Sequence, residues 1–359
     1  MSLIAARNDS ANCTIKDSKA SRTINYAVEN ARALACISVV IIHFGFFDPL
    51  GSDIHAILLY AVPFFYMVSG FYLYDSDPER QMQRLEKGIR KFGILYIKAA
   101  IICALLSIMD WRLKYGSYTG LIGYLSKTSV LELLVDNTWP FELGGPIWFL
   151  LALVYTLVIL WFLCRFKMQF FCLPLALICL VVNSVFTEFY GLWGQGDVMF
   201  TGNFFTRGIP FVFLGFYFRQ HENFVRRINN YVCIVLILLG IILPVIENHL
   251  LKRLNALTYE GYFQGNLLLA VGLLLFCLNN PNIGKYSLLF YIGHFYSLGV
   301  FLVHQPLGEL INEWFVIRGH IDFFWGNFKP LTVFLLSMIL VMIYRKLCAL
   351  IWHPNRFAK

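Results

Sequence analysis

The sequence predicts an all-α, polytopic membrane protein of about ten transmembrane helices with both termini cytoplasmic. Three observations carry this. Of 359 residues, 58% are hydrophobic and only 14% are charged, where a soluble domain carries about 25%. The apolar residues collect into ten segments, nine of them long enough to cross ~30 Å of hydrocarbon as a helix. The basic residues then gather in alternate connections between segments, which is the pattern that sets orientation in a membrane.

The segments run roughly over 30–47, 56–74, 92–110, 146–164, 169–187, 204–219, 231–248, 262–279, 286–305 and 330–350. The one at 204–219 is the shortest, and the one at 286–305 carries His294. Residues 1–28 are polar, with no apolar run after a basic start, and read as a cytoplasmic segment, not a cleaved signal. With that end inside, Arg80, Arg84, Lys87, Arg90 and Lys91 fall in the first inside connection. Arg165, Lys167, Arg219, Arg226, Arg227, Lys285, Arg345 and Lys346 follow in later ones. About 19 of the 29 Lys and Arg residues then lie inside and about 8 outside. Residues 29–350 form one membrane domain, and 351–359 form a short cytoplasmic tail. Pro63 and Pro210 fall inside spans, where proline can kink a helix and widen a cavity.

Composition also excludes function classes. The net charge of +8 does not point to nucleic acid, because the basic residues sit in short connections between apolar spans. The nine cysteines show no CxxC or Cys/His spacing, and most lie in apolar runs where Cys acts as a small hydrophobe. Neither a metal nor a disulfide framework is expected.

Arg32 and His43 are the residues that demand a reason. Both lie at or in the first span, where an ionisable group is costly. Eleven residues at about 100° each make about three turns, so both project from one helix face, ~16 Å apart along the axis. In the assigned orientation Arg32 lies near the cytoplasm and His43 toward the outer half. A neutral imidazole beside a wet cavity can accept a hydroxyl proton. A structural reading is equally open from these two residues, with Arg32 snorkelling to headgroups and His43 bonded at the interface. Arg84, Lys87, Arg90 and Lys91 recur at three- and four-residue intervals and place much of their charge on one side of a helix continuing into the third span. That cluster suits a ligand with several phosphates, or else a lipid-headgroup patch. His304 is followed by Pro306 and reads as lying near a helix end. His294 reads as a packing or helix-terminal residue.

Several motifs occur together in a fixed order. Arg32 and His43 frame an Arg-x10-His pattern, and Pro63-Phe-Phe-Tyr-Met-Val-Ser69-Gly70-Phe71 is an aromatic run ending in Ser-Gly-Phe. Lys87-Gly-Ile-Arg90, Pro146-Ile-Trp148-Phe-Leu, Arg207-Gly-Ile-Pro-Phe-Val-Phe-Leu-Gly215 and Tyr296-Ser-Leu-Gly-Val-Phe-Leu-Val-His304 follow. This series resembles the acyltransferase-3 family of integral-membrane O-acyltransferases, from about residue 28 to 310. The chain departs from the family at Lys87, where an Arg is usual, and it ends at Lys359 without the C-terminal hydrolase-like domain of larger members.

The resemblance implies transfer of an acyl group, commonly acetyl, from cytosolic acyl-CoA to a hydroxyl of a surface glycan or its lipid-linked precursor, in a bacterial inner membrane. Arg32 with Lys87, Arg90, Arg84 and Lys91 would engage the donor. His43 would activate the acceptor hydroxyl or carry the acyl group transiently. Ser69 and Trp148 would line the cavity, His304 would close it on the outer side, and Arg207 could bind acceptor hydroxyls. The rival class is a transporter or flippase for a lipid-linked or small anionic substrate. No internal symmetry between halves supports that rival.

Overall fold

The structure is a computed structural model that describes residues 24–46, 50–125, 132, 137, 143, 147–194, 203–257, 263–317 and 323–352. Most of the N-terminal segment and of the tail lies outside them. The described residues are mostly helical, and no strand occurs among them. The principal helices are α1 (Tyr26–Phe44), α2 (Leu50–Leu58), α3 (Ala61–Leu73), α4 (Pro78–Tyr115), α5 (Ile147–Arg165) and α6 (Cys172–Asn183). They continue as α7 (Ile209–Gln220), α8 (Asn230–Arg253), α9 (Gln264–Asn279), α10 (Ser297–Ile317) and α11 (Phe323–Trp352). Among the described residues, eight helical stretches are long and apolar enough to cross a membrane. The remaining two expected spans correspond to α9 and to α7 with the turn before it, both shorter. The chain is a multi-pass membrane protein.

Local chemistry explains the main boundaries. Asn25 caps α1 by accepting from Val28 N–H at 3.0 Å. Asp77 caps α4, accepting from the N–H groups of Glu79 and Arg80 at 2.9 and 3.1 Å, and Pro78 fills the first helical position. Capping by Asp and proline at that position both suit a helix start. The 38 residues of α4 extend about 57 Å, so the basic first turns and the apolar span form one continuous helix. It stops at Gly116, whose φ of 67° suits glycine.

Among the described residues three π-helical turns interrupt the bundle, at Ser184–Glu188, Phe204–Gly208 and Ile292–Tyr296. The second and third carry Arg207 and His294. Such turns often occur at functional sites, because the extra residue re-aims side chains.

Helix α1 lies in the middle. It packs on α2, α3, α9, α10 and α11. Val28, Ala31, Ala35 and Val39 face a core with Phe64, Met67 and Phe71. Ala33, Cys36, Val40 and Phe44 face a second core with Val300, Val333 and Val341. Apolar residues on two opposed faces mark a helix buried by protein. The rim is the reverse: Ile94, Ile97, Ile101, Leu105 and Met109 of α4 are exposed, as are many residues of α8 and α11. This apolar belt is the lipid-facing surface.

Two close approaches hold the centre. A methyl group added at Gly70 of α3 would overlap the carbonyl of Val212, and one at Gly215 of α7 would overlap that of Met67. The two helices therefore touch backbone to backbone, as small residues allow in membranes.

Pro63 and Pro210 both lie in the first turns of α3 and α7, where the missing N–H has no intrahelical acceptor to lose. Each follows an irregularity in its span, the turn at 59–60 before Ala61 and the π turn Phe204–Gly208 before Ile209, as expected beside a proline within a span. One expectation about proline is corrected. Pro306 does not end the helix after His304: α10 continues to Ile317, and His304 lies in mid-helix.

Gly70→Val and Gly215→Val are expected to destabilise the bundle by about 1–3 kcal/mol or more, the usual cost of overpacking. Thermal melting of the detergent-solubilised protein checks this, with Gly93→Val, which meets open space, as the comparison.

Candidate active site

A cavity of about 320 Å³ opens where α1, α3, α4, α5 and α10 meet. Arg32, Ser69, Lys87 and Lys91 all line it, with Phe65, Tyr72, Phe149 and Phe301 among the apolar walls. Residues from three segments distant in sequence are thus brought together. Lys87 and Lys91 are one turn apart on α4 and share its face. Both are exposed, and neither has an ion-pair partner among the described residues. The Ser69 hydroxyl donates to Phe65 O at 2.8 Å, which leaves its oxygen lone pairs free to accept.

Arg32 is tied at one point. Its Nη1 lies 3.0 Å from Glu29 Oε2, and His294 Nδ1 approaches the same oxygen at 3.6 Å. Glu29 is 7% exposed, so one buried carboxylate steers both groups. Only part of the guanidinium is used, and the rest faces the cavity. Three cations against one carboxylate give the cavity a positive field suited to an anionic ligand.

His43 lies further along α1 and does not line this cavity. Its ring centroid is 5.2 Å from that of His304. His43 is exposed, whereas His304 is fully buried. His304 Nδ1 lies 3.2 Å from Val300 O. A carbonyl only accepts, so this nitrogen carries the proton and Nε2 is the bare acceptor. That Nε2 has no hydrogen-bond partner.

An aromatic wall divides the cavity from the imidazole pair. The Phe301 ring lies 5.8 Å from Phe65, 4.9 Å from Phe149 and 6.0 Å from His304. One face of α10 therefore presents Leu298 and Phe301 to the cavity and His304 to His43.

The other expected residues lie elsewhere. Arg84 forms an ion pair with Asp75 and donates to Tyr74 O at 2.6 Å; it lines a second, neighbouring cavity. Arg90 points away from Lys87, into a shallow groove with Glu86 and Trp161. Trp148 is half-buried beside Phe149 but only Phe149 reaches the cavity. Arg207 is 8% exposed in its π turn, near Tyr66, behind the wall that Tyr66 and Phe149 form by stacking at 4.3 Å. Glu29, His294 and the aromatic wall escaped sequence reasoning. The i,i+3 spacing of Glu29 from Arg32 was a usable signal; no local pattern pointed to His294.

If Glu29 acts by holding Arg32, Glu29→Gln is expected to lower activity about tenfold, equivalent to ~1.4 kcal/mol. Combined with Arg32→Ala it should add little, since coupled residues are non-additive. Rates of the two single variants and the double variant in membranes check this.

No curated protein and no solved structure matches the chain. A family model described as an acyltransferase domain matches residues 25–344. The match begins at the cap of α1 and ends within α11, so it takes in the cavity, the aromatic wall and the imidazole pair. This chain belongs to the acyltransferase-3 family and is a membrane acyltransferase.

Proposed function

We propose that the enzyme takes an acyl group, acetyl in the first instance, from cytosolic acyl-CoA and places it on a hydroxyl of a surface glycan or its lipid-linked precursor. The setting is a bacterial inner membrane, with the Arg32 end of the bundle facing the cytoplasm. One observation carries the reading: Arg32, Lys87 and Lys91 converge on one cavity, and His43 lies along the same helix beyond it, beside His304.

The chemistry divides between the two ends of α1. An acyl-CoA is a polyanion that cannot enter lipid, so it must dock where cations meet water. Lys87 and Lys91 are exposed point charges at the cavity edge, suited to phosphates, and Arg32 lies deeper, toward the thioester. The acyl end then passes the Phe65–Phe149–Phe301 wall. On the far side His43, as neutral imidazole, accepts the acceptor hydroxyl's proton while the oxygen attacks the thioester carbonyl. Collapse of the tetrahedral adduct expels the thiolate, which takes the proton back from His43 to leave as free thiol. His304 supports this role: its fixed tautomer offers only a lone pair, never a competing proton, next to the base.

His43→Ala is expected to reduce transfer from labelled acetyl-CoA by about 10²–10⁴-fold, the usual weight of a general base. Arg32→Ala should chiefly raise KM for the donor. Undiminished transfer by correctly folded His43→Ala would overturn the mechanism, and an acyl-imidazole trapped with donor alone would make His43 the carrier.

The wall gives a separate expectation. Phe301→Ala should let water reach the thioester, raising acyl-CoA hydrolysis relative to transfer. Free thiol released without acceptor measures it.

A further inference from the structure

The donor cavity is small for a whole coenzyme. At about 320 Å³ it lies at the low end of pockets for drug-sized ligands, while acyl-CoA carries a nucleotide as well as a pantetheine arm. A larger cavity, about 590 Å³, adjoins it. The two share a wall: Leu73 lines the first and Tyr74 the second, and on α4 Gly88 lines the first and Arg84 the second. Side chains of α4 hold the backbone of this segment in place. Gln81 donates to Leu73 O at 3.1 Å and accepts from Asp75 N–H, and Arg84 grips Tyr74 O and Asp75.

The second cavity carries the features of a nucleotide site. Arg84, Arg219 and Arg227 line it, and Asp75 and Glu222 line it too. The carboxylates are committed: Asp75 pairs with Arg84, and Glu222 pairs with Arg219 and with Arg226, the latter at 2.6 Å. They orient the guanidiniums without cancelling the positive excess. Arg219 is further fixed over the Phe71 ring at 5.2 Å. Arg227 has no ion-pair partner among the described residues. Phe224, at the rim, is 69% exposed, a flat surface on which a purine can stack. Arginine forks match phosphate oxygens in pairs.

Resting on the acyl-CoA reading above, we infer that this second cavity binds the donor's adenosine 3′,5′-bisphosphate end, with Arg227 on phosphate and Phe224 on the base, while the arm runs past Leu73 and Tyr74 at the end of α3 into the Arg32 cavity.

The test uses the full chain in phosphatidylcholine nanodiscs, titrated calorimetrically with adenosine 3′,5′-bisphosphate. Wild type should bind it, and both Arg227→Ala and Phe224→Ala should weaken binding about tenfold (~1.4 kcal/mol). Both substitutions are at exposed sites, so folding is retained. In transfer assays the same variants should raise KM for acetyl-CoA about tenfold with kcat unchanged, and leave transfer from acetyl-pantetheine unaffected. No binding by wild type, or equal binding by the variants, overturns the inference. Binding of phosphatidylglycerol that depends on Arg227, without bisphosphate binding, assigns the cavity to a lipid headgroup and also overturns it. If the bisphosphate binds with the expected losses but acetyl-CoA is not a donor, the nucleotide site stands and the donor reading falls. If acetyl-CoA is used equally by wild type and both variants, the donor reading stands and the nucleotide site falls.

Discussion

A permanent cation on a helix otherwise fit for hydrocarbon is the constraint on which this bundle depends. Arg32 cannot lose its proton, so within an apolar environment it needs a partner and a wet exit. Glu29 is the partner, at 3.0 Å. A lone carboxylate there would itself be costly to bury, and His294 shares it at 3.6 Å. That sharing requires the π turn at Ile292–Tyr296 to lie directly on α1. It does so because Gly293 has no side chain: a methyl there would overlap the Glu29 carbonyl. The wet exit is the cavity between α1, α3, α4, α5 and α10.

From that point the arrangement of the other helices follows. The cavity needs α3 close to α7, which the reciprocal contacts of Gly70 and Gly215 provide. It needs a long α4, so that Lys87 and Lys91 reach its edge from the same helix that crosses the membrane. It needs α10 to be helical from Ser297 through His304, so that Leu298, Phe301 and His304 lie on one side in succession. The result is a largely apolar chamber edged by three cations at one end of α1, an aromatic wall, and a histidine pair at the other end. The Phe301 ring meets Phe65 edge-on and Phe149 at a tilt, and such an aromatic layer keeps water from passing between the two ends.

The motifs that marked the family turn out to mix chemistry with packing. In the Ser69-Gly70-Phe71 run, Ser69 faces the cavity, Gly70 makes the helix crossing and Phe71 supports Arg219. In the Arg207-to-Gly215 segment, Arg207 sits in a π turn and Gly215 answers Gly70. The basic stretch on α4 divides three ways: Lys87 and Lys91 to one cavity, Arg84 to the next, Arg90 to an outer groove. Spacing put these four on nearby faces, but a helix turns 100° per residue. Arg90 lies one residue from Lys91 and faces another way.

The sequence by itself determined the class and supplied some of the candidate residues. Apolar segment length, the distribution of Lys and Arg, and the Arg32–His43 spacing are one-dimensional quantities. Each maps directly onto helices in a membrane, where backbone hydrogen bonds must close locally. Only the tertiary structure decided which charges meet. Glu29 with His294, Phe301 with Phe65 and Phe149, and His43 with His304 join residues from different helices. Such pairings depend on which helix faces which, and that is set by close contacts at a few glycines and by π turns that re-aim side chains. No local periodicity encodes those contacts, because the surface that selects them lies on another part of the chain.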